Sequence, residues 1–181
     1  MNDVTDRMGT LTETAGGWRL QFVRHLDRPP AVAWRAFTDP ELVRRWFPTT
    51  IEGELVAGAP LRFQVTAIPM EPFGGSVVEI DEPHLFVLRW GEDVLRFELT
   101  AAGDGTDLSL SVQLGELGRA ARDGAGWHEC LDNLARDLGT DPEAAGGETW
   151  ASIHPRYVEC FGPEAATVGP PQELVDDRQT G

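Results

Sequence analysis

The sequence predicts an α+β domain, an antiparallel sheet of about six or seven strands followed by one long C-terminal helix. Three features predict it. Short segments of alternating apolar and polar residues recur from Trp18 to Val112, separated by Gly-, Asp- and Pro-rich turns. One interruption, after the first such segment, carries two short helical signatures. After Gly118 the apolar spacing lengthens to that of a helix and keeps it through Leu138.

In chain order, Trp18, Leu20, Phe22, Arg24 and Leu26 fall on one face of a first strand, with Arg19, Gln21, Val23 and His25 on the other. Asp27-Arg28-Pro29-Pro30 ends that strand and opens a short helix bearing Val32, Trp34, Ala36 and Phe37. Asp39-Pro40 starts a second, with Asp39 as N-cap and Pro40 at the first helical position. Its apolar side is Leu42, Val43, Trp46 and Phe47, and Pro48 ends it.

Strands follow over Ile51–Val56, Leu61–Val65, Phe73–Ile80, Leu85–Trp90 and Leu95–Leu99. Gly103-Asp104-Gly105 is a hairpin signal, and Leu108, Leu110 and Val112 form the inward row of the last strand. Trp127, Leu131, Leu134 and Leu138 then mark one side of an amphipathic helix. Glu129, Asp132, Asn133, Arg136 and Asp137 are assigned to its polar sides, and Gly139 to its stop. Glu148–Phe161 repeats helical spacing through Trp150, Ile153, Tyr157 and Phe161, with Pro155 expected to prevent a straight helix.

The chain has 181 residues, enough for one domain whose folding buries about 70% of its surface. All basic residues are Arg, and 30 acidic residues against 15 basic ones give a formal charge of −15. That balance argues against a phosphate-backbone partner, which needs clustered positive charge, and against anionic membranes. No apolar run is long enough to span a bilayer and the first residues lack a signal-peptide pattern, so a soluble cytoplasmic protein is expected. Cys130 and Cys160 form no CxxC, and His25, His84, His128 and His154 show neither HxH nor HxxxH spacing. Neither a metal site nor any cofactor is expected.

Chemical candidates are few. There is no nucleophile elbow and no phosphate-cradling glycine loop. The pairs Glu52/Glu54 and Glu79/Asp81 share strand faces but read as solvated surface. Arg24 stands out because alternation puts it on the apolar face beside Phe22 and Leu26. A buried guanidinium needs a counter-charge. The favoured reading is an internal salt bridge, for example to a glutamate of the sheet, and the alternative is an anchor for a ligand's polar group.

Strand, two short helices, a run of strands and a long helix resemble the START-like superfamily, also called SRPBCC. The likeness is carried by Arg24, Leu26 and Pro29-Pro30, by VAWRAFTDPELVRRWF from Val32 to Phe47, and by VVEIDEPHLFVLRW from Val77 to Trp90. The hairpin GDGTDLSLSV from Gly103 to Val112 and the helix GWHECLDNLARDL from Gly126 to Leu138 complete it. Within the superfamily, the chain resembles the branch related to the activator of heat-shock protein 90 ATPase, namely that protein's C-terminal half. The resemblance implies a helix-grip fold, in which the sheet curves around the long helix. Relatives often carry His where Val112 stands, so this chain is more apolar there.

The resemblance also implies an internal cavity between sheet and helix. Trp34, Trp46, Phe63, Trp90, Phe97 and Trp127 are the expected lining, with Leu110, Val112 and Leu131 completing the wall, Arg24 at one end and His128 flanking it. The leading expectation is a binder of a small hydrophobic molecule, a lipid or polyketide-like ring system, with no catalytic residue assigned. A co-chaperone-like module stimulating a heat-shock ATPase is a second reading. A cyclase or dehydratase using Arg24, His128 and Gln64 is a third. Residues 1–16 are expected to form a flexible N-terminus, 17–139 the helix-grip domain, 140–161 an added helical segment able to serve a homodimer interface, and 162–181 a disordered tail.

Overall fold

The computed structural model describes residues 7–140 and 148–170. Strands β1 (Thr10–Thr14) and β2 (Gly17–Leu26) precede helices α1 (Pro30–Thr38) and α2 (Pro40–Val43). Six more strands follow: β3 (Thr49–Glu52), β4 (Pro60–Val65), β5 (Phe73–Asp81), β6 (Leu85–Trp90), β7 (Asp93–Ala102) and β8 (Gly105–Leu114). Helix α3 covers Ala120–Asp137 and α4 Trp150–Phe161. The eight strands form one antiparallel sheet in the order β1-β2-β8-β7-β6-β5-β4-β3. Curved around α3, this sheet gives the helix-grip architecture.

Register explains how alternation becomes a core. Phe22 pairs with Leu110, Leu110 with Phe97, and Phe97 with Phe86, so one apolar row crosses four strands. The next row is Leu20, Val112, Leu95 and Leu88. Directly opposed side chains of this kind are the unit of sheet stabilisation. Arg24 occupies the same inward face, opposite Leu108, which in turn faces Leu99. Among the described residues, no helix is long and apolar enough to cross a membrane.

Several expectations are corrected. The sheet has one strand more than expected, because Thr10–Thr14, placed in the flexible N-terminus, pairs with Gly17–Gln21. Its Thr-rich edge carries no apolar alternation, so only pairing reveals it. Residues 1–6 lie outside the described part. The strand expected over Ile51–Val56 is shorter and earlier, at Thr49–Glu52. Within the segment assigned to a disordered tail, residues 163–166 form a 3₁₀ turn that buries Ala165, and the Val168 N–H donates to the Gly118 carbonyl. Residues 171–181 lie outside the described part.

Helix α4 passes through Pro155 without ending. Pro155 cannot donate to the Ala151 carbonyl, but both residues are on the exposed side, where solvent has access to them. A capping box between Thr149 and Ser152 holds its start. Two sides of α3 are therefore covered, one by the sheet and one by α4. Gly124 permits the second contact, since a Cβ there would lie 2.8 Å from the Tyr157 ring. At the start of α3, Arg119 binds the buried Asp93, the first residue of β7, and, at 3.0 Å, Asp123.

Candidate functional site

Two groups of side chains meet on opposite sides of α3. The first is aromatic. Phe37 packs on Trp46 and Phe97, each with ring centroids 5.1 Å apart. Trp46 meets Phe47 at 5.3 Å, and Phe47 meets Trp127 at 5.6 Å. Trp127 contacts Trp90 at 5.7 Å, Trp90 contacts Phe73 at 5.3 Å, and Phe73 contacts Phe63 at 5.4 Å. Most pairs are edge-on or tilted, the favoured geometries for quadrupolar rings.

The rings thus form one block, fully buried at Phe97 and Phe63 and partly buried at Phe73 and Trp90. The sequence placed Trp46, Phe63, Trp90, Phe97 and Trp127 together, and the fold brings them together. Trp34 joins through Phe86, 6.2 Å away, while Leu110, Val112 and Leu131 are buried in the adjoining core. Phe37, Phe47 and Phe73 belong to the block as well, and their positions on the apolar sides of α1, of the turn after α2 and of β5 were the available signal. Two indole N–H groups of the block are engaged: that of Trp46 donates to the Ala36 carbonyl at 2.8 Å, and that of Trp90 donates to Thr49 Oγ1 at 3.2 Å.

The rings touch one another. Two depressions open elsewhere: one of about 450 Å³ on the outer sheet face around Arg19, Arg96 and Gln113, and one of about 460 Å³ beside Met8, Gly9, Arg156 and Cys160.

The second group is polar and buried. Arg24, 6% exposed, reaches Asp132 Oδ1 through Nη2 at 3.5 Å and the Val23 carbonyl through Nη1 at 3.0 Å. The partner of Arg24 is therefore a helix carboxylate and not a glutamate of the sheet. Asp132, assigned by sequence to a polar side of α3, is only 3% exposed because α4 and the segment before β1 cover it. Arg7 binds the same Oδ1 at 2.5 Å, and His128 Nε2 lies 3.5 Å from Oδ2. His128 Nδ1 is 3.0 Å from Tyr157 Oη, which also accepts from the Gly9 N–H at 2.8 Å. Gly9 is required here, as a Cβ would stand 2.4 Å from the Phe22 ring.

Burial would raise the Asp132 carboxyl, but His128, Arg24 and Arg7 outweigh it and hold the group below its ordinary value. For Arg24, burial outweighs Asp132 and pulls the guanidinium down from its ordinary value. Burial pushes the Tyr157 phenol up to about 12, so it stays protonated as a hydrogen-bonding group. Burial, helped by Glu129, pushes the Cys130 thiol up to about 12 as well, which removes it as a nucleophile at neutral pH.

Arg24 and His128 were expected at the ends and flank of the apolar cavity. They instead face α4 and the N-terminal segment, away from the rings. Asp132 and Tyr157 were missed as site residues. A signal existed: Ala121, Ala125, His128, Asp132 and Ala135 repeat at helical spacing, a second buried stripe made of small residues. Gln64 serves its own strand, donating to the Met70 carbonyl at 2.6 Å. The acidic pairs Glu52/Glu54 and Glu79/Asp81 are exposed. One metal-ligating combination arises among the described residues, His128, Asp132 and Glu148, whose ligand atoms lie within 4.8 Å of one another.

The family described as activator of Hsp90 ATPase homolog 1-like protein matches residues 27–139. The chain belongs to this family. Within the activator homolog-like match lie the whole aromatic block, His128 and Asp132. Arg7, Gly9, Arg24, Glu148 and Tyr157 lie outside it, so the polar group is assembled on the family core by flanking segments. No curated protein among those compared matches the chain. Solved structures share the START-like fold. CalU16 from Micromonospora echinospora is 23% identical with a TM-score of 0.63, covering 86% of this chain and 94% of that one. EF2215 from Enterococcus faecalis, a conserved protein of unknown function, is 23% identical with a TM-score of 0.71, covering 84% and 90%. DynU16, from the dynemicin biosynthetic locus, is 25% identical with a TM-score of 0.59, covering 67% and 47%.

Proposed function

We propose that this family member binds a small hydrophobic molecule, a lipid or polyketide-like ring system, between its sheet and α3. The observation that carries the reading is the aromatic block, which runs without a charged side chain from the core at Phe97 to the partly buried Phe73 and Trp90. Because the rings are in contact, the ligand enters by parting them at the Phe73–Trp90 end. Association then includes a conformational step and is slower than diffusion allows.

Binding is favoured over cyclase chemistry because Arg24 and His128 face Asp132 and Tyr157, and Gln64 its own strand. The indole N–H groups of Trp90 and Trp46 are already engaged by Thr49 and the Ala36 carbonyl. DynU16's place in the dynemicin biosynthetic locus lends support to a small-molecule ligand. The family name supports a second reading, a chaperone partner, with the exposed Val56 and Met70 as apolar surface for it.

The test is native mass spectrometry of protein purified without detergent, followed by denaturing extraction. A co-purifying apolar species of defined mass, or saturable tryptophan quenching by a fused-ring aromatic or a fatty acid, is expected. Trp90→Ala weakens that binding. A clean apo mass with no fluorescence response across such a library, together with capture of a heat-shock ATPase, would move the function to the partner reading.

A further inference from the structure

We propose that His128, Asp132 and Glu148 form a binding site for a divalent cation of the zinc class, which clamps the start of α4 onto α3. This site lies across α3 from the aromatic block and is independent of the hydrophobic-ligand reading.

The case begins with an orphaned atom. His128 is 1% exposed, yet its Nε2 has no hydrogen-bond partner. Such atoms are rare in folded proteins and call for a water or an ion. Its neighbour is Asp132 Oδ2 at 3.5 Å, one helical turn away on α3. That is longer than a good N–H···O hydrogen bond, which closes to about 3 Å. It matches the edge between two ligands of a tetrahedral ion, which is about 3.4 Å when both bonds are about 2.1 Å. Glu148, immediately before the N-cap of α4, brings a third ligand atom within 4.8 Å of the other two. Being exposed, it can close that remaining gap without repacking.

The outer contacts are already those of a metal site. His128 Nδ1 sits 3.0 Å from Tyr157 Oη. An Nδ1–H donating to that oxygen fixes the ring and leaves the Nε2 lone pair for the ion, as partner groups of ligating histidines do. Arg7 and Arg24 both bind Oδ1 of Asp132, leaving Oδ2 on the site. Arg156 binds Oε1 of Glu148 at 2.7 Å, leaving Oε2. The imidazole and the two carboxylates supply one nitrogen and two oxygen ligands, their negative charge being shared with Arg7, Arg24 and Arg156, and water completes the coordination.

Chemistry selects the ion. Calcium and magnesium require six or more oxygen ligands, or octahedral oxygen geometry. The nitrogen ligand and the low ligand number favour zinc, with cobalt as its spectroscopic substitute. The single set of three ligand atoms provides for one ion.

The experiment uses tag-free full-length protein stripped with a chelator. Cobalt is titrated and followed by its visible d–d absorption, zinc is added in competition, and melting is recorded with and without zinc. One equivalent of cobalt with a tetrahedral spectrum is expected, displaced by zinc. Zinc raises Tm by about 5–11 °C at a hundredfold excess over Kd. Glu148→Gln, at an exposed position, keeps the metal-free Tm, weakens cobalt binding about tenfold or more and abolishes the zinc shift. Glu159→Gln, an exposed acidic control on α4, behaves as wild type. Absence of a saturable cobalt spectrum, or a spectrum and Tm shift unchanged by Glu148→Gln, overturns the proposal.

Discussion

Replacing Asp132 by Asn tests the buried network most directly, because it removes a charge while keeping shape. In the wild type, one carboxylate faces Arg24 at 3.5 Å, Arg7 at 2.5 Å and His128 at 3.5 Å. The variant leaves Arg24 buried without its counter-charge, with only neutral acceptors, an amide oxygen and the Val23 carbonyl at 3.0 Å, and Arg24 Nε already has no partner. Breaking a buried pair by removing one member costs about 3–5 kcal/mol. The long Arg24 contact and the 22% exposure of the Arg7 side chain place the loss at the lower end, about 3 kcal/mol. For a domain of this size Tm falls by about 6–12 °C.

Urea titration followed by circular dichroism measures the loss as a shift in midpoint at constant slope. The pH dependence gives an independent check. Asp132 is held below its ordinary value of 3.8, so its folded-state value lies below its unfolded one. Its stabilisation is fully present above about pH 3.8 and disappears as the pH falls through the folded value. Wild type and variant should therefore differ by a constant amount at neutral and mildly acidic pH and converge at lower pH. A loss below about 1 kcal/mol at pH 7, or a difference that persists undiminished in acid, would refute the view that Asp132 neutralises a buried cation.

Tyr157→Phe unpairs the Gly9 N–H and His128 Nδ1; it should cost about 1–3 kcal/mol by urea titration and speed hydrogen exchange at the Gly9 amide. Gly124→Ala puts a Cβ 2.8 Å from the Tyr157 ring, and by thermal melting it should destabilise by about 1–3 kcal/mol despite a better helix propensity. Gly126→Ala meets nothing within 4 Å on the same helix, and in the same assay should stabilise by about 1 kcal/mol. Trp127→Ala removes ring contacts to Phe47 and Trp90 and should cost about 3–5 kcal/mol, with loss of near-ultraviolet dichroism from the block.

What the sequence determined by itself was set by local periodicity. Period-two alternation from Trp18 to Val112 defines inward rows, because a strand has only two faces and a one-residue slip would expose every apolar side chain. Helical spacing from Trp127 to Leu138 defines the gripped face of α3 in the same way. The aromatic block follows from both, since residues on the inward rows and on that face have nowhere else to meet. The oddity of Arg24 was equally legible, as a charge on an apolar row.

The partner of that charge was decided only by tertiary structure. Asp132 lies 108 residues away on α3, and by periodicity alone it belongs to solvent. It is buried because α4 and residues 7–9 fold over that side of the helix, and nothing local in α3 states that a second layer will arrive. The same holds for β1, whose Thr10–Thr14 has no apolar alternation and becomes a strand by pairing, and for Ala165, buried by contact with a distant surface. The meeting of His128, Asp132 and Glu148 is of this kind too. Periodicity fixes which face a residue takes, whereas long-range packing fixes what covers that face, and the charged groups of this protein are governed by the second.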